Sequence, residues 1–254
     1  MTTPGAAPSG GAPRDAGPPG VSRPELVLVP GMLGDADGWR DVAARVADVA
    51  SIRIARIDLA GTVTELAAGV LAAAPGAFSV VGHSLGGIVA LEMVRQEPHR
   101  IRRLALLNSS ARPPTDAQRA AWRAWDERVA AGEFTTVAHE LAHATLPASR
   151  PDLIDRNARM AASVGPDGFR RQLAAQQSRT DARPNLAAIT APTLVIRGDL
   201  DGVSPAELQQ ELATGIPDAT LHVLENTGHM SPLESPDAVA TLLRAWLSDQ
   251  DHRS

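Results

Sequence analysis

Residues 78–87, Phe-Ser-Val-Val-Gly-His-Ser-Leu-Gly-Gly, constrain the fold of this chain more than any other stretch. An apolar run with strand character at 78–81 breaks at glycine, presents Ser84, and passes into helical spacing at Ile88, Leu91 and Val94. Gly82 and Gly86, two residues to either side of Ser84, let neighbouring backbones crowd together, so the serine can sit on a strained corner between strand and helix. A hydroxyl is a poor nucleophile until a base takes its proton and a turn exposes it; this stretch supplies the turn. A plain tight turn is the alternative, and the strand before and helix after speak against it.

What the composition lacks narrows the chemistry further. The 254 residues contain no Cys, no Lys and no Tyr. That excludes disulfides, thiolate metal sites, cysteine nucleophiles, lysine Schiff bases and the lysine of a phosphate-binding loop, and leaves serine as the obvious nucleophile. A net charge of -5 without blocks of like charge predicts neither a nucleic-acid surface nor a polybasic membrane patch. No run of 18 apolar residues and no secretory leader occurs, so a soluble, cytoplasmic protein acting on a small molecule is expected. No cofactor is called for. Oligomeric state is not legible.

Taken in order, residues 1–22 are rich in Gly, Pro and Ala and are expected to be a disordered tail. Strand signals follow at 25–29, 51–57, 78–81 and 101–107; a helix starting near Asp37 as N-cap carries Trp39, Val42 and Val46 on one face. Asp58, at the edge of the second strand, reads as a cap or turn residue as readily as a site residue. Between 112 and 183 the strand signal stops. Thr115 and Gln118 form a capping box, Ala121, Trp122, Trp125 and Val129 a stripe, and Gly132 a stop; further helices are expected over 134–146, 152–164 and 167–178. Alternation resumes with strands at 193–197 and 220–224 and helices at 205–214 and 236–248. The expected layout is therefore an α/β core from 23–111 and 184–250, a mostly parallel sheet of about six strands flanked by helices. The segment 112–183 is inserted after the fourth strand as a helical cap.

Three chemically apt residues stand just after three different strands: Ser84, Asp201 and His229. Their order, together with Pro30-Gly31-Met32, GHSLGG, APTLVIRGDLD at 191–201 and NTGHMSPLESP at 226–236, resembles the α/β-hydrolases over almost the whole chain. Within that family it is similar to small bacterial esterases and relatives of 3-oxoadipate enol-lactonase. The resemblance implies that Ser84 attacks an acyl carbon, His229 moves the proton, Asp201 orients His229, and the backbone N–H groups of Met32 and Leu85 bind the oxyanion. It implies a serine hydrolase acting on small esters or lactones through an acyl-enzyme. C–C bond hydrolases, lyases, thioesterases and perhydrolases share the same residues. Asp199 is the rival acid; the family spacing of three residues after Gly198 selects Asp201. Where the family usually has His-Gly before the donor, this chain has Pro30-Gly31, which costs nothing because the donor is backbone. Trp122 and Trp125 are candidate pocket walls, and Arg119, Arg123 and Arg128 candidate partners for a substrate carboxylate.

One further motif points elsewhere. His139-Glu140-Leu141-Ala142-His143 is a literal H-E-x-x-H, the helical signature of zinc proteases. No glutamate follows Glu140 until Glu207, so a third ligand has no obvious source. On a helical wheel Phe134, Val137, Ala138, Leu141 and Thr145 share the face opposite both histidines, which predicts a solvated pair and no metal. His83, His99, His222 and His252 read as structural, with His83 near the pocket.

Overall fold

The computed structural model describes residues 23–248; the expected disordered tail at 1–22 and His252 lie outside the described residues. Six parallel strands form one sheet in the order β2-β1-β3-β4-β5-β6. They are β1 (Glu25–Val29), β2 (Ser51–Ile54), β3 (Phe78–His83), β4 (Ile101–Leu107), β5 (Thr193–Gly198) and β6 (Ala219–Leu224). Successive strand residues face opposite ways, and on β1 both faces are covered. Val27 and Val29 pack into one cluster and Leu26 and Leu28 into the other. Helices α1 (Arg40–Val46) and α9 (Pro236–Ser248) cover the second face through Val42, Val239, Leu243 and Trp246, with Trp39 from the turn just before α1. Helices α2 (Val63–Ala73), α3 (Leu85–Gln96) and α7 (Ala206–Gly215) cover the first. A four-residue helix, α8 (Ser231–Glu234), precedes α9.

The chain leaves β1 towards one edge of the sheet to form β2 and returns past β1 to form β3. The loops after β1 and β3 therefore flank the point where the winding direction reverses, at the carboxyl edge where open parallel sheets open a crevice. Between β4 and β5 stand three helices: α4 (Asp116–Ala130), α5 (Phe134–Thr145) and α6 (Pro151–Ser178). Thr115 caps α4 with the reciprocal Gln118 bond that the sequence predicts. Their core joins Trp122, Val129, Val137, Phe169 and Leu173 to Leu33 of the β1 loop. Buried Arg156 ties α6 to Asp37 and Asp41 at the start of α1.

Several sequence expectations are corrected. Asp35, not Asp37, caps the first helical turn: it accepts from the Asp37 N–H at 2.8 Å, leaving the Asp37 carboxylate for Arg156. The strand expected to reach residue 57 ends at Ile54, because edge strand β2 has only β1 to pair with and its last bond is Ala55 N–H to Leu28 O at 2.9 Å. By contrast, the helices expected at 152–164 and 167–178 are both present, as two segments of α6 separated by a break at Gly165, whose positive φ of 71° precedes Pro166. Helix α2 was not foreseen. Among the described residues no helix is long and apolar enough to cross a membrane.

Candidate active site

Ser84 terminates β3 with φ 53° and ψ -117°, a conformation that costs a non-glycine residue energy and persists only where the surroundings enforce it. The enforcement is steric and hydrogen-bonded. A Cβ on Gly86 would strike the carbonyl oxygen of Val29, and one on Gly82 would strike that of Gly86, so the turn closes only with glycine at both positions. The Ser84 N–H bonds Leu107 O at 2.8 Å, and Ser109 Oγ donates to Ser84 O at 2.8 Å.

The hydroxyl so presented meets His229 Nε2 at 3.1 Å, and His229 Nδ1 lies 3.1 Å from both Asp201 carboxylate oxygens. An ionised carboxylate only accepts, so Nδ1 carries the proton and Nε2 turns its lone pair towards Ser84. Burial alone would raise the Asp201 carboxyl. The hydrogen bond and charge of His229, the Ser204 N–H and the Asn108 amide outweigh it and hold Asp201 below the usual carboxylate range. Asp201 is also fixed by the Val203 and Ser204 N–H groups, each 2.9 Å from Oδ1. The rival Asp199 is exposed, and its carboxylate accepts from the Thr227 N–H at 3.0 Å. It joins the ends of β5 and β6 and does not reach His229.

Two supports of this relay escaped the sequence reading. Asn108, at φ 49°, donates from its amide nitrogen to Asp201 Oδ2 at 2.8 Å while its amide oxygen accepts from Ser231 Oγ at 2.6 Å. Glu234 accepts from the N–H groups of Gly228 and Met230, both at 2.9 Å, and so clamps the residues on either side of His229. Asn108 follows β4 directly, as Ser84 follows β3, but that place alone also suits an ordinary turn residue.

On the opposite wall, Leu85 opens α3, so its N–H has no intrahelical acceptor. Met32 lies in the turn after β1 that is closed by Gly34 N–H to Gly31 O at 3.1 Å. The neighbouring Leu33 N–H is taken by Gln172 Oε1 of α6 at 2.9 Å. Ser84, His229 and Met32 open onto a cavity of about 500 Å³ roofed by α4, where Trp122 and Trp125 line it. Arg119, Arg123 and Arg128, which the sequence offered as carboxylate partners, do not line it. Arg119 donates to Gln177 O, Arg123 is exposed, and Arg128 is held by Glu133 and Glu140. Arg112 and Arg179 line the cavity instead.

His139 and His143 are exposed on α5, with their Nε2 atoms 3.3 Å apart, and Glu140 is occupied by Arg128. None of the three lines the cavity. Among the described residues no three potential metal-ligating side chains cluster.

His83 is buried at the edge of the cavity, as its expected place near the pocket requires, and donates from Nε2 to the His229 carbonyl at 2.8 Å. Burial, and then the nearby His229 ring, push its pKa down to about 3. In the unfolded chain a histidine titrates near 6.5. Above that pH neither state is protonated and His83 costs nothing. Below it the unfolded state alone gains the proton, and stability falls by about 1.4 kcal/mol per pH unit until about pH 3. Urea unfolding of His83→Asn at pH 7 and pH 5 should therefore show a smaller loss than wild type, by about 2 kcal/mol. Equal losses would mean that His83 is charged in the folded protein.

Residues 26–242 match the model of the alpha/beta hydrolase family, and the chain belongs to that family. It is 32% identical over 185 residues to the 2-hydroxymuconate semialdehyde hydrolase of Pseudomonas putida, a match covering 68% of this chain and 63% of that one, so the chain spans less than two thirds of that relative. A pimeloyl (acyl-carrier protein) methyl ester esterase of Vibrio vulnificus is 27% identical over 239 residues, covering 85% of this chain and 91% of its own. A thermophilic esterase from Thermogutta terrifontis superposes with a TM-score of 0.82 at 25% identity, covering 90% of each chain. The enol-lactonase of Burkholderia xenovorans superposes at 0.80 with 21% identity over 89% of this chain and 92% of its own, a likeness of fold.

Proposed function

We propose that this hydrolase cleaves small carboxylic esters or lactones through an acyl-enzyme on Ser84. The observation that carries the reading is the unbroken line from Asp201 through His229 to Ser84, with its two contacts at 3.1 Å, opening on a cavity. Ser84 Oγ attacks the acyl carbon and its proton passes to His229 Nε2. The oxyanion forms against the N–H groups of Met32 and Leu85, each worth about 3 kcal/mol in the transition state. His229 then returns the proton to the leaving oxygen, and water enters by the reverse sequence to release the acid. Asp201 keeps Nδ1 protonated and stabilises the imidazolium.

The cavity volume speaks for a small acyl group. Helices α4 to α6 act as a cap over the sheet edge, and their side chains line the space beneath. The p-nitrophenyl acetate and butyrate esters should therefore be cleaved at least about tenfold faster in kcat/KM than the palmitate, since a chain that cannot enter forfeits its apolar burial. A steady rise in kcat/KM to palmitate would replace the small pocket by a lipase-like cap. Thioester, C–C bond and peracid chemistry use the same side chains. The Pseudomonas putida relative makes 2-hydroxymuconate semialdehyde a necessary member of the substrate panel, beside lactones, thioesters and diketones.

A further inference from the structure

The cavity beside Ser84, whose lining also includes the Glu207 carboxylate, contains a buried arginine that no carboxylate pairs. Arg179, just beyond the end of α6, is 9% exposed and lines the cavity together with Trp122 and Gln118. Its guanidinium stacks 5.2 Å from the Trp122 ring centroid. One arm donates to Gln176 Oε1 at 3.1 Å and the other to Gln118 Oε1 at 2.8 Å, both neutral amides. Its Nε is buried without an acceptor. The other well-buried arginine of α6, Arg156, has Asp37 and Asp41 as carboxylate partners. Arg112, on the same cavity, has Glu211. Among the described residues Arg179 has no carboxylate partner at all. The charged form is disfavoured first by burial and then by the like charge of Arg119, which lower its pKa to about 10, so it remains a cation at neutral pH.

A buried guanidinium is costly unless an anion completes it, and no carboxylate among the described residues does so. We propose that Arg179 is an anion-binding residue of the substrate pocket, and that the preferred substrate carries a carboxylate remote from the bond that Ser84 attacks. Each terminal nitrogen keeps a second N–H beyond the one its glutamine takes, and the planar guanidinium presents these to a carboxylate. Trp122 fixes the plane of the guanidinium, while the two glutamines hold its arms without neutralising it. The same residue borders a second cavity of about 240 Å³ between α2, α3 and the segment before β5, where Ile88 is also shared with the first.

This inference rests on the assignment of Ser84 as nucleophile, and the test separates the two. The monomethyl esters of the C4 to C7 dicarboxylic acids are compared with their uncharged primary-amide counterparts on wild-type protein, Arg179→Gln and Arg179→Lys. Wild type should favour the best half-ester over its amide by about 10- to 100-fold in kcat/KM, the worth of a charge-assisted hydrogen bond. The ratio should fall to about one in Arg179→Gln and recover in part in Arg179→Lys. Adipate binding to Ser84→Ala, followed by calorimetry, should be lost with the added Arg179→Gln change. If Arg179→Gln does not fold, the wild-type ratio and the adipate titration decide alone. Turnover of the amides with no preference for the acids, or a preference that survives Arg179→Gln, overturns the proposal and leaves the serine mechanism standing. Adipate binding by a protein that neither turns over any ester nor reacts with a fluorophosphonate sinks the serine mechanism instead.

Discussion

Ser84→Ala is expected to lower kcat for p-nitrophenyl butyrate by about 10⁵- to 10⁶-fold, with loss of all labelling by a fluorophosphonate. The size of the effect follows from the shared function of the relay. Once the hydroxyl is gone, His229 and Asp201 have no proton to move, and only the oxyanion donors and substrate positioning remain, about 10³-fold over water. The variant should fold as the wild type does. Alanine at 84 keeps the Cβ that the strained turn already accommodates, and the main-chain bonds to Leu107 and Ser109 use backbone atoms of residue 84. Covalent labelling of Ser84→Ala at the wild-type stoichiometry would move the nucleophile elsewhere.

Asp201→Asn is expected to cost about 10⁴-fold in kcat while Asp199→Asn stays near wild type. The asparagine would fill the same space and still meet the Val203 and Ser204 N–H groups through its oxygen. Its NH₂ group would then face His229 Nδ1 and select the tautomer protonated on Nε2, which cannot accept from Ser84. Asn108 makes matters worse, since its own amide donor at 2.8 Å would be left facing another donor. At position 199 an amide oxygen replaces a carboxylate oxygen as acceptor for Thr227, and the join between β5 and β6 survives. An inactive Asp199→Asn beside an active Asp201→Asn would transfer the orienting role.

The two acids both lie in Gly198-Asp199-Leu200-Asp201, and the spacing implied by the family resemblance selected Asp201, the carboxylate that lies against His229 Nδ1. The glycines around Ser84 were legible because a close approach within one turn leaves a local signature. Asn108 left none. Its contacts are to residues 93 and 123 positions away, and an asparagine after a strand also reads as an ordinary turn. The arginines failed similarly. A helical wheel says which residues share a face and not what the face meets, so Arg119, Arg123 and Arg128 looked suitable while Arg179, past the helix end, was passed over. Strand β2 was overextended because the apolar pattern at 51–57 continues after the partner strand has run out.

The bond from the Leu33 N–H to Gln172 Oε1 crosses 139 residues, joining the loop that carries Met32 to the second segment of α6. Gln172 is fully buried, as is Leu173 beside it, which packs with Leu33. The helical segment is therefore not an interchangeable lid. A chimera in which it is replaced by the corresponding helices of another family member, with the aim of changing substrate range, would exchange the roof of the pocket and unfasten the floor in the same operation. Recombination sites for such grafts have to keep residues 172 and 173 with the parent, or choose a donor whose helix offers an acceptor at the matching turn.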